Sequence, residues 1–238
     1  MPPLSQSACR EKGRAKVTVK AFDFREQLQQ GCTALGIGLD AEAVERLFLY
    51  FTELTRWSRK INLIAKGTGE AEILENHFLD SLTLLPLLDG PALHLLDVGS
   101  GAGFPGLVCK AARPDLTVTL LEPRLKRVSF LRHIIRTLKL SGVEALAGRV
   151  EDEILLPSNA LFTHITSRAV TDIGEFLRMV SRLCGEGTTV ICMKGPRWQE
   201  ELQAMQKLSP AILLHHTSTL ERELPNSHAR RVLLTFAR

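Results

Sequence analysis

A glycine-rich segment, residues 97–106, carries the residue types best suited to bind a ligand. It reads Asp-Val-Gly-Ser-Gly-Ala-Gly-Phe-Pro-Gly. Three glycines at alternate positions let a backbone turn tightly and approach a ligand closely. Asp97 stands two positions before the first of them, where its carboxylate could orient the loop or face the ammonium group of a ligand. The segment therefore predicts a nucleotide-binding loop between a strand and a helix.

Two cofactors compete for this loop. Gly101, Gly103 and Gly106 fit the G-x-G-x-x-G pattern of dinucleotide-binding proteins, which is a weak signal when it stands alone. Asp97 and Gly99 extend it to D-x-G-x-G-x-G, the form typical of methyltransferases that use S-adenosylmethionine (SAM). The pattern favours SAM over NAD, and a glycine turn without a ligand is the third interpretation.

Acidic residues follow the next two predicted strands. Glu122 ends the second strand, where a carboxylate can bind ribose hydroxyls, and NAD enzymes share this feature. Glu151 and Asp152 follow the third strand, beside the expected position of the adenine, whose amino group needs an acceptor. The alternative explanation of this pair is an exposed helix start, where the helix dipole favours acids.

The fourth predicted strand ends at Arg168, and the residues around it limit the nucleophile. Methyl transfer from a sulfonium needs mainly a well-positioned nucleophile, and a base only if that nucleophile must lose a proton. The strand end lacks the N/D-P-P-Y loop of amino-methylating enzymes, and no cysteine follows a proline as in cytosine-C5 enzymes. Guanine N7, which has a free lone pair, is a natural candidate. Arg168 could donate to guanine O6, to phosphate or to the cofactor, or it could be an ordinary surface arginine.

A basic segment follows the second strand. Residues 124–139 contain six bases and no acid. Arg132, Arg136 and Lys139 share one helix face, which is either a phosphate-facing patch or a solvated surface. Lys194, at the end of the fifth strand, could meet RNA or cap the loop.

The elements that must position these residues fall into two parts. Residues 23–88 have a helical pattern, with Asp40 as a helix cap and a further helix over about 70–88. From residue 92, strands near 93–98, 117–122, 143–147, 162–167, 187–193, 211–218 and 230–237 alternate with helices near 105–112, 125–140, 172–184 and 197–208. The last two strands have no helix between them, so they should pair antiparallel.

This pattern predicts an α/β fold of the Rossmann-like class I SAM-dependent methyltransferase type. The sheet is expected to be seven-stranded and mostly parallel, with its last strand pair antiparallel, beside an N-terminal helical extension. We expect a disordered basic tail at residues 1–20, the extension at 21–90 and the SAM-dependent methyltransferase core at 91–238.

Composition sets further limits. The net charge of +4 lies in residues 1–20, because the remaining 218 residues hold 25 bases and 25 acids. Net charge alone therefore does not indicate whether the protein binds nucleic acid. Five scattered cysteines argue against a zinc site or a disulfide framework, so we expect no metal. No apolar run is long enough for a membrane helix and no secretory signal is visible, which predicts a cytoplasmic protein without a membrane partner. We also expect a monomer.

A series of motifs narrows the assignment further. Their positions in order are Trp57, Asn62-Leu63, His77-x-x-Asp80-Ser81, the loop ending Phe104-Pro105-Gly106, Lys126-Arg127-x-x-Phe130-Leu131, Arg149-Val150-Glu151, Ser167-Arg168-Ala169, Lys194-Gly195 and Arg230. Over residues 40–237 the chain resembles the bacterial small-subunit rRNA guanine-N7 methyltransferases known as RsmG or GidB.

The resemblance implies roles for individual residues. It implies SAM contacts for Gly99, Gly101, Gly103 and Phe104, and contacts with the adenine end for Val150 and Glu151. Arg149, Arg168 and Arg230 match arginines that the family uses around the cofactor and the target, so Arg168 and Arg230 are our candidate catalytic residues. Asn62, His77, Asp80 and Ser81 would join the extension to the rim of the site. Together with Arg132, Arg136, Arg149 and Lys194, they are the candidate RNA contacts.

The implied substrate is one guanine in a conserved loop of 16S rRNA, in the small ribosomal subunit or its assembly intermediate. A loop is the accessible target because the major groove of an RNA helix, which holds N7, is deep and narrow. Two alternatives remain beside this hypothesis: a non-enzymatic SAM-binding ribosome-assembly factor, and an NAD-dependent oxidoreductase.

Overall fold

The computed structural model describes residues 22–90, 92–208 and 213–238. A seven-stranded sheet in the order β3-β2-β1-β4-β5-β7-β6 forms its centre. The strands are β1 His94–Val98, β2 Thr117–Glu122, β3 Val143–Ala147, β4 His164–Arg168, β5 Thr189–Lys194, β6 His215–Glu223 and β7 Arg230–Ala237. The predicted tail at residues 1–20 lies outside the described residues.

The sheet confirms the predicted fold class. Strands β1 to β5 pair in parallel, and β7 pairs antiparallel with both β5 and β6. Six strands lie within two residues of their predicted limits. Strand β6 was predicted at 211–218 but runs from His215 to Glu223, because it is a largely exposed edge strand without an apolar pattern to mark its ends.

Helices cover both faces of the sheet. They are α5 Gly106–Ala112, α6 Leu125–Thr137, α7 Ile173–Val180 and α8 Trp198–Leu208. Because these helices follow β1, β2, β4 and β5, each chain segment leaves the sheet at the carboxyl ends of the parallel strands, which is where ligands bind in open α/β folds. Within the described ranges, no helix is both long and apolar enough to cross a membrane.

The N-terminal helices α1 Phe24–Ala34 and α2 Ala41–Ser58 begin at side-chain caps. Asp23 accepts hydrogen bonds from the amides of Arg25 and Glu26, and Asp40 accepts one from the amide of Ala43. Such caps satisfy amides that the first helical turn leaves without partners. Both helices pack into the same apolar cluster as β1, β2, α5 and α6. The domain boundary near residue 90 stays a prediction.

The helix predicted over residues 70–88 is divided into four short segments of three helical types. It runs through α3 Glu70–Ile73, a π-helical segment Leu74–Leu79, α4 Asp80–Leu82 and a 3-10 turn Leu85–Leu87. In the π segment the amide of Asp80 donates to the carbonyl of Glu75 rather than to that of Asn76. Widened turns of this kind are frequent at functional sites, and no apolar periodicity reveals them in a sequence.

Candidate active site

The glycine loop adopts the left-handed backbone conformations that its glycines predict. The φ angles of Gly99, Gly101 and Gly103 are +74°, +60° and +98°. The Asp97 side chain accepts a hydrogen bond from the amide of Gly106 at 2.9 Å. A Cβ on Gly106 would lie 2.7 Å from the Cβ of Asp97, so only glycine allows α5 to begin this close to β1.

The loop rests on a residue that sequence reasoning missed. Tyr50 of α2 is fully buried and donates a hydrogen bond from its hydroxyl to the carbonyl of Ala102. Its ring stacks on Phe104 with the centroids 6.0 Å apart. A Cβ on Gly103 would come within 2.2 Å of the Tyr50 hydroxyl. The extension therefore supports the loop from behind.

Glu122 orders the loop from the neighbouring strand. Its two carboxylate oxygens accept the amide hydrogens of Gly101 and Arg124, both at 2.9 Å. The Arg127 guanidinium lies 3.9 Å away and partly covers the acid. Each oxygen retains a further lone pair, so the carboxylate can hold the loop and still accept a ligand hydroxyl.

Asp97 is an acid with an unusual environment. It is fully buried, and burial raises the pKa of its carboxyl to about 6 despite the hydrogen bond from Gly106. Among the described residues its second oxygen, Oδ1, has no hydrogen-bond partner. A buried acceptor without a partner requires an explanation, and a cationic ligand group beside the loop would supply one.

Arg168 stands at the centre of a network that joins the π segment to the sheet. Its Nη1 donates to the carbonyl of Asn76 at 2.7 Å and to Oδ2 of Asp80 at 2.8 Å. Its guanidinium carbon lies 5.2 Å from the centre of the Phe104 ring. The π turn explains the hydrogen bond from Arg168 to the Asn76 carbonyl. This carbonyl accepts no hydrogen bond from the amide of Asp80 and is therefore available to Arg168.

The other side of Asp80 holds a second arginine. Nε of Arg231 donates to Oδ1 of Asp80 at 3.1 Å, and its Nη2 donates to the side chain of Asn76 at 3.2 Å. Sequence reasoning selected Arg230, which is exposed at the start of β7. Neighbouring strand residues point to opposite faces of the sheet, so Arg231 reaches Asp80 while Arg230 lies on the other face. Asn76 was also missed, and no sequence signal marked it.

His77 is held neutral in the same cluster. Its ring stacks on Phe104 at 4.8 Å with an interplanar angle of 14°. Burial, with a smaller effect of Arg168, lowers the pKa of His77 to about 4. Since Nδ1 lies 3.3 Å from an Arg168 donor, Nδ1 is the acceptor and the proton is on Nε2.

Asp80 and Ser81 are buried, although both were grouped with the candidate RNA contacts. Ser81 is fully buried, and its hydroxyl donates to the carbonyl of His77 at 2.5 Å. Asp80 is only 4% exposed and is shared by two arginines. In this conformation neither side chain presents a free surface to RNA.

An open cavity of about 810 Å³ adjoins Arg168. Its walls come from the π segment, the loop after β4, the end of β5 with the start of α8, and β7. Lys194 lies in its lining, donates to the carbonyl of Thr171 at 2.5 Å and pairs with Glu201 at 2.7 Å. Val170 of the β4 loop lines the cavity and also packs against Gly99, so the cavity adjoins the glycine loop at this residue.

The remaining candidates are not among the residues that line this cavity. Val150 is buried, and its carbonyl accepts a hydrogen bond from Arg182 at 2.5 Å. The guanidinium of Arg132 donates two hydrogen bonds to the carbonyl of Ala145, at 3.2 and 3.0 Å. The exposed candidates are Asn62, Arg132, Arg136, Arg149 and Glu151. No group of three or more potential metal ligands occurs in the described part of the chain.

Comparison with known proteins gives a consistent set of relatives. Residues 43–226 match the GidB family, described as rRNA small subunit methyltransferase G. A protein of Desulfotalea psychrophila named ribosomal RNA small subunit methyltransferase G is 55% identical over 216 residues, which cover 91% of this chain and 99% of the relative. A protein of the same name from Syntrophotalea carbinolica is 38% identical, covering 90% and 98%.

Solved structures share the fold at low sequence identity. TrmN from Thermus thermophilus matches with a TM-score of 0.50 and 15% identity, covering 69% of this chain and 53% of TrmN. The Pyrococcus horikoshii protein PH0793 matches with a TM-score of 0.51 and 14% identity, covering 66% and 62%. At this identity the likeness concerns the fold alone.

Proposed function

The chain belongs to the rRNA small subunit methyltransferase G family, and from that membership we propose that it transfers a methyl group from SAM to N7 of a guanine in 16S rRNA. The observation that supports this most strongly is Arg168, held by Asn76 and Asp80 between the glycine loop and an open cavity. Family membership gives the NAD-dependent alternative no support.

The residues at the glycine loop fit the proposed cofactor. The unpartnered Oδ1 of Asp97 can accept the ammonium group, and the spare lone pairs of Glu122 can accept ribose hydroxyls. A Cβ on Gly101 would meet nothing closer than 3.7 Å, so the loop has an open side at this position. Gly99, Gly103 and Phe104 shape the loop, and Val150 and Glu151 are the proposed neighbours of the adenine. When bound, SAM supplies an electrophilic methyl group on a positively charged sulfur.

The protein needs no general base for this reaction. Guanine N7 carries a lone pair and no proton to be removed. The enzyme therefore has only to orient the guanine and exclude water. His77 is suited to this because its lowered pKa of about 4 keeps it neutral, and its ring supports Phe104. We assign His77 a positioning role.

Arg168 is the proposed contact to the base. A guanidinium has five N–H donors, and three of the Arg168 donors are used by Asn76, Asp80 and His77. The remaining two can reach guanine O6, which neighbours N7 on the same edge of the base. Asp80 and Ser81 position this arginine and the π segment. Arg231 shares this positioning role through its hydrogen bond to Asp80. Arg230 remains a candidate catalytic residue at the rim of the site.

The RNA backbone is proposed to cross the face around the cavity. Asn62, Arg132, Arg136, Arg149 and Lys194 are its candidate contacts. The partner is the small ribosomal subunit or its assembly intermediate, and we propose that the protein acts as a monomer in the cytoplasm.

The proposed function is tested in cells. In 16S rRNA from a strain that lacks the protein, one N7-methylguanosine should be absent, and expression of the wild-type chain should restore it. If the nucleoside mass spectra of the two strains are identical, the proposed function is wrong.

A further inference from the structure

The charged side chains of the 810 Å³ cavity are mostly bonded within the protein. The bonded groups are Arg168 and Arg231 with Asp80, Lys194 with Glu201, and Asp172 with the amide of Glu175. These bonds fix the walls of the cavity before any ligand enters. They also leave few charged groups available to a substrate.

Two charged side chains in the lining, unlike the others, are not bonded within the described protein. Arg197 and Glu200 make no side-chain hydrogen bond or ion pair with any described residue. Both are exposed and lie at the start of α8, three positions apart. Glu200 is therefore the carboxylate of the cavity that is free to accept hydrogen bonds from a ligand.

The sheet order shows which elements lie between the glycine loop and α8, the helix that carries Glu200. The glycine loop follows β1, Arg168 ends β4, and α8 follows β5, with β4 between β1 and β5. Neighbouring strands are about 4.8 Å apart, so β1 and β5 lie roughly 10 Å apart. Glu200, on α8 after β5, and Arg168, at the end of β4, line the same cavity. The cavity volume of about 810 Å³ has room for a purine.

Guanine has the matching arrangement of groups. N7 and O6 lie on one edge, while N1–H and the N2 amino group are donors on the Watson–Crick edge. When N7 and O6 face Arg168, the two donors are turned toward the other walls of the cavity, which include the start of α8. A carboxylate accepts both donors, whereas adenine would present an acceptor at N1. Enzymes that act on an extruded base read it through this edge.

We propose that Glu200 binds N1–H and the N2 amino group of the target guanine and so selects guanine over other bases. The proposal rests on the proposed function. Arg197, beside Glu200, is available for the phosphate of the same nucleotide.

The experiment compares two bases at the methylated position. Wild-type protein and small subunits first locate the guanine that is methylated. Subunits are then rebuilt with 16S rRNA that carries either guanosine or inosine there, since inosine lacks only the N2 amino group. Methylation rates give kcat/KM for the wild type, Glu200→Ala, Glu200→Gln and the control Glu186→Ala. Glu186 is an exposed acid before β5, at the opposite end of that strand from the cavity.

For the wild type and the control we expect inosine to lower kcat/KM by about 10- to 100-fold, the usual effect of losing a hydrogen bond to a charged group. For both Glu200 variants we expect a similar loss with guanosine and little further loss with inosine. SAM affinity and melting temperature should stay at wild-type values, since Glu200 bonds to no described residue. If Glu200→Ala keeps wild-type turnover and the wild-type inosine effect, the proposal is wrong. If wild-type protein methylates no guanine, the failure belongs to the proposed function.

Discussion

At the scale of single residues, the glycines of one loop have different tasks. Gly103 and Gly106 are needed because protein atoms approach them: the Tyr50 hydroxyl in one case and Asp97 in the other. Gly101 has an open side, where the nearest atom to an added Cβ is the tip of Arg127 at 3.7 Å. The first two glycines therefore serve the fold, and Gly101 is free to serve the cofactor.

This difference predicts contrasting variants. Gly101→Ala should lower the free energy of unfolding by about 1–2 kcal/mol, the cost of a side chain at positive φ, and weaken SAM binding strongly because the methyl group enters the open side. Gly103→Ala should lower the free energy of unfolding by about 2–4 kcal/mol, because overpacking against Tyr50 adds to the cost of positive φ. Urea denaturation and calorimetry with SAM separate the two effects. Wild-type SAM affinity in Gly101→Ala would refute the proposed position of the cofactor.

Asp97 predicts a pH dependence of SAM binding. Its pKa is raised from the ordinary 3.8 to about 6, so the folded protein holds this proton more tightly than the unfolded chain. The contribution of Asp97 to stability therefore falls as pH rises from about 4 to about 6. An ammonium group prefers the ionised acid, so SAM affinity should fall below pH 6 by at most about tenfold per pH unit.

Calorimetric titrations between pH 5 and 7 measure this dependence. Asp97→Asn, which cannot ionise, should bind SAM weakly and with little change across the same range. An equally steep pH profile in wild type and variant would show that Asp97 does not receive the ammonium group.

Arg168 predicts a loss of activity without loss of the fold. Arg168→Ala removes the proposed donor to guanine O6, and methyl transfer should fall at least about 100-fold, as when one oriented donor is deleted. Stability should decline by only about 1–3 kcal/mol, because Arg231 still pairs with Asp80. Single-turnover assays and circular dichroism test both parts. Arg168→Lys keeps the charge but not the planar fork, so its turnover should stay low; normal turnover in Arg168→Ala would remove this residue from the site.

At the scale of elements, the π segment connects the end of β4 with the hairpin between β6 and β7. Its widened turn frees the Asn76 carbonyl for Arg168 and directs Asp80 toward two arginines. It also holds the hairpin between β6 and β7, because the buried Glu75 accepts the amide hydrogens of Asn226 and Ser227 at 2.7 and 2.9 Å. The hairpin in turn carries Arg231.

Removal of the Glu75 carboxylate is therefore expected to lower both stability and activity. Glu75→Ala leaves two amides without their acceptor and should lower the free energy of unfolding by about 1–3 kcal/mol. Activity should fall as well, since Arg231 moves with the hairpin. Glu72→Ala, in the exposed preceding turn, is the matched control and should change neither quantity. The account of this contact would be contradicted if the Glu75 and Glu72 variants had equal denaturation midpoints and equal turnover.

These elements show what the sequence could and could not predict. The parallel strands were predictable because buried strands are continuous apolar runs, as in Leu95-Leu96 and Leu120-Leu121. Strand β6 was misplaced because an edge strand lacks such a run. The π turn was missed because its apolar spacing resembles that of an ordinary helix, and the roles of Asn76 and Arg231 depend on contacts more than 80 residues apart in sequence.

At the scale of the whole molecule, the extension and the sheet act as one structure. Tyr50, Phe78 and Phe104 belong to one apolar cluster that contains α1, α2 and the helices beside β2. His77 and Asp80 reach the end of β4 from this cluster, so the helices before the sheet complete the site. The sequence predicted the glycine loop and Arg168, whose types suit their chemistry. It could not predict that Asp80 and Ser81 are buried, since burial depends on how the extension packs.

The most direct test of the central claim is a transfer assay. The purified protein is incubated with methyl-labelled SAM and small subunits from a strain that lacks it, and the label is mapped by nucleoside mass spectrometry. We predict label in N7-methylguanosine at one position of 16S rRNA, and none with Arg168→Ala. Label in another nucleoside, or no label while SAM binding is intact, would contradict the proposed reaction.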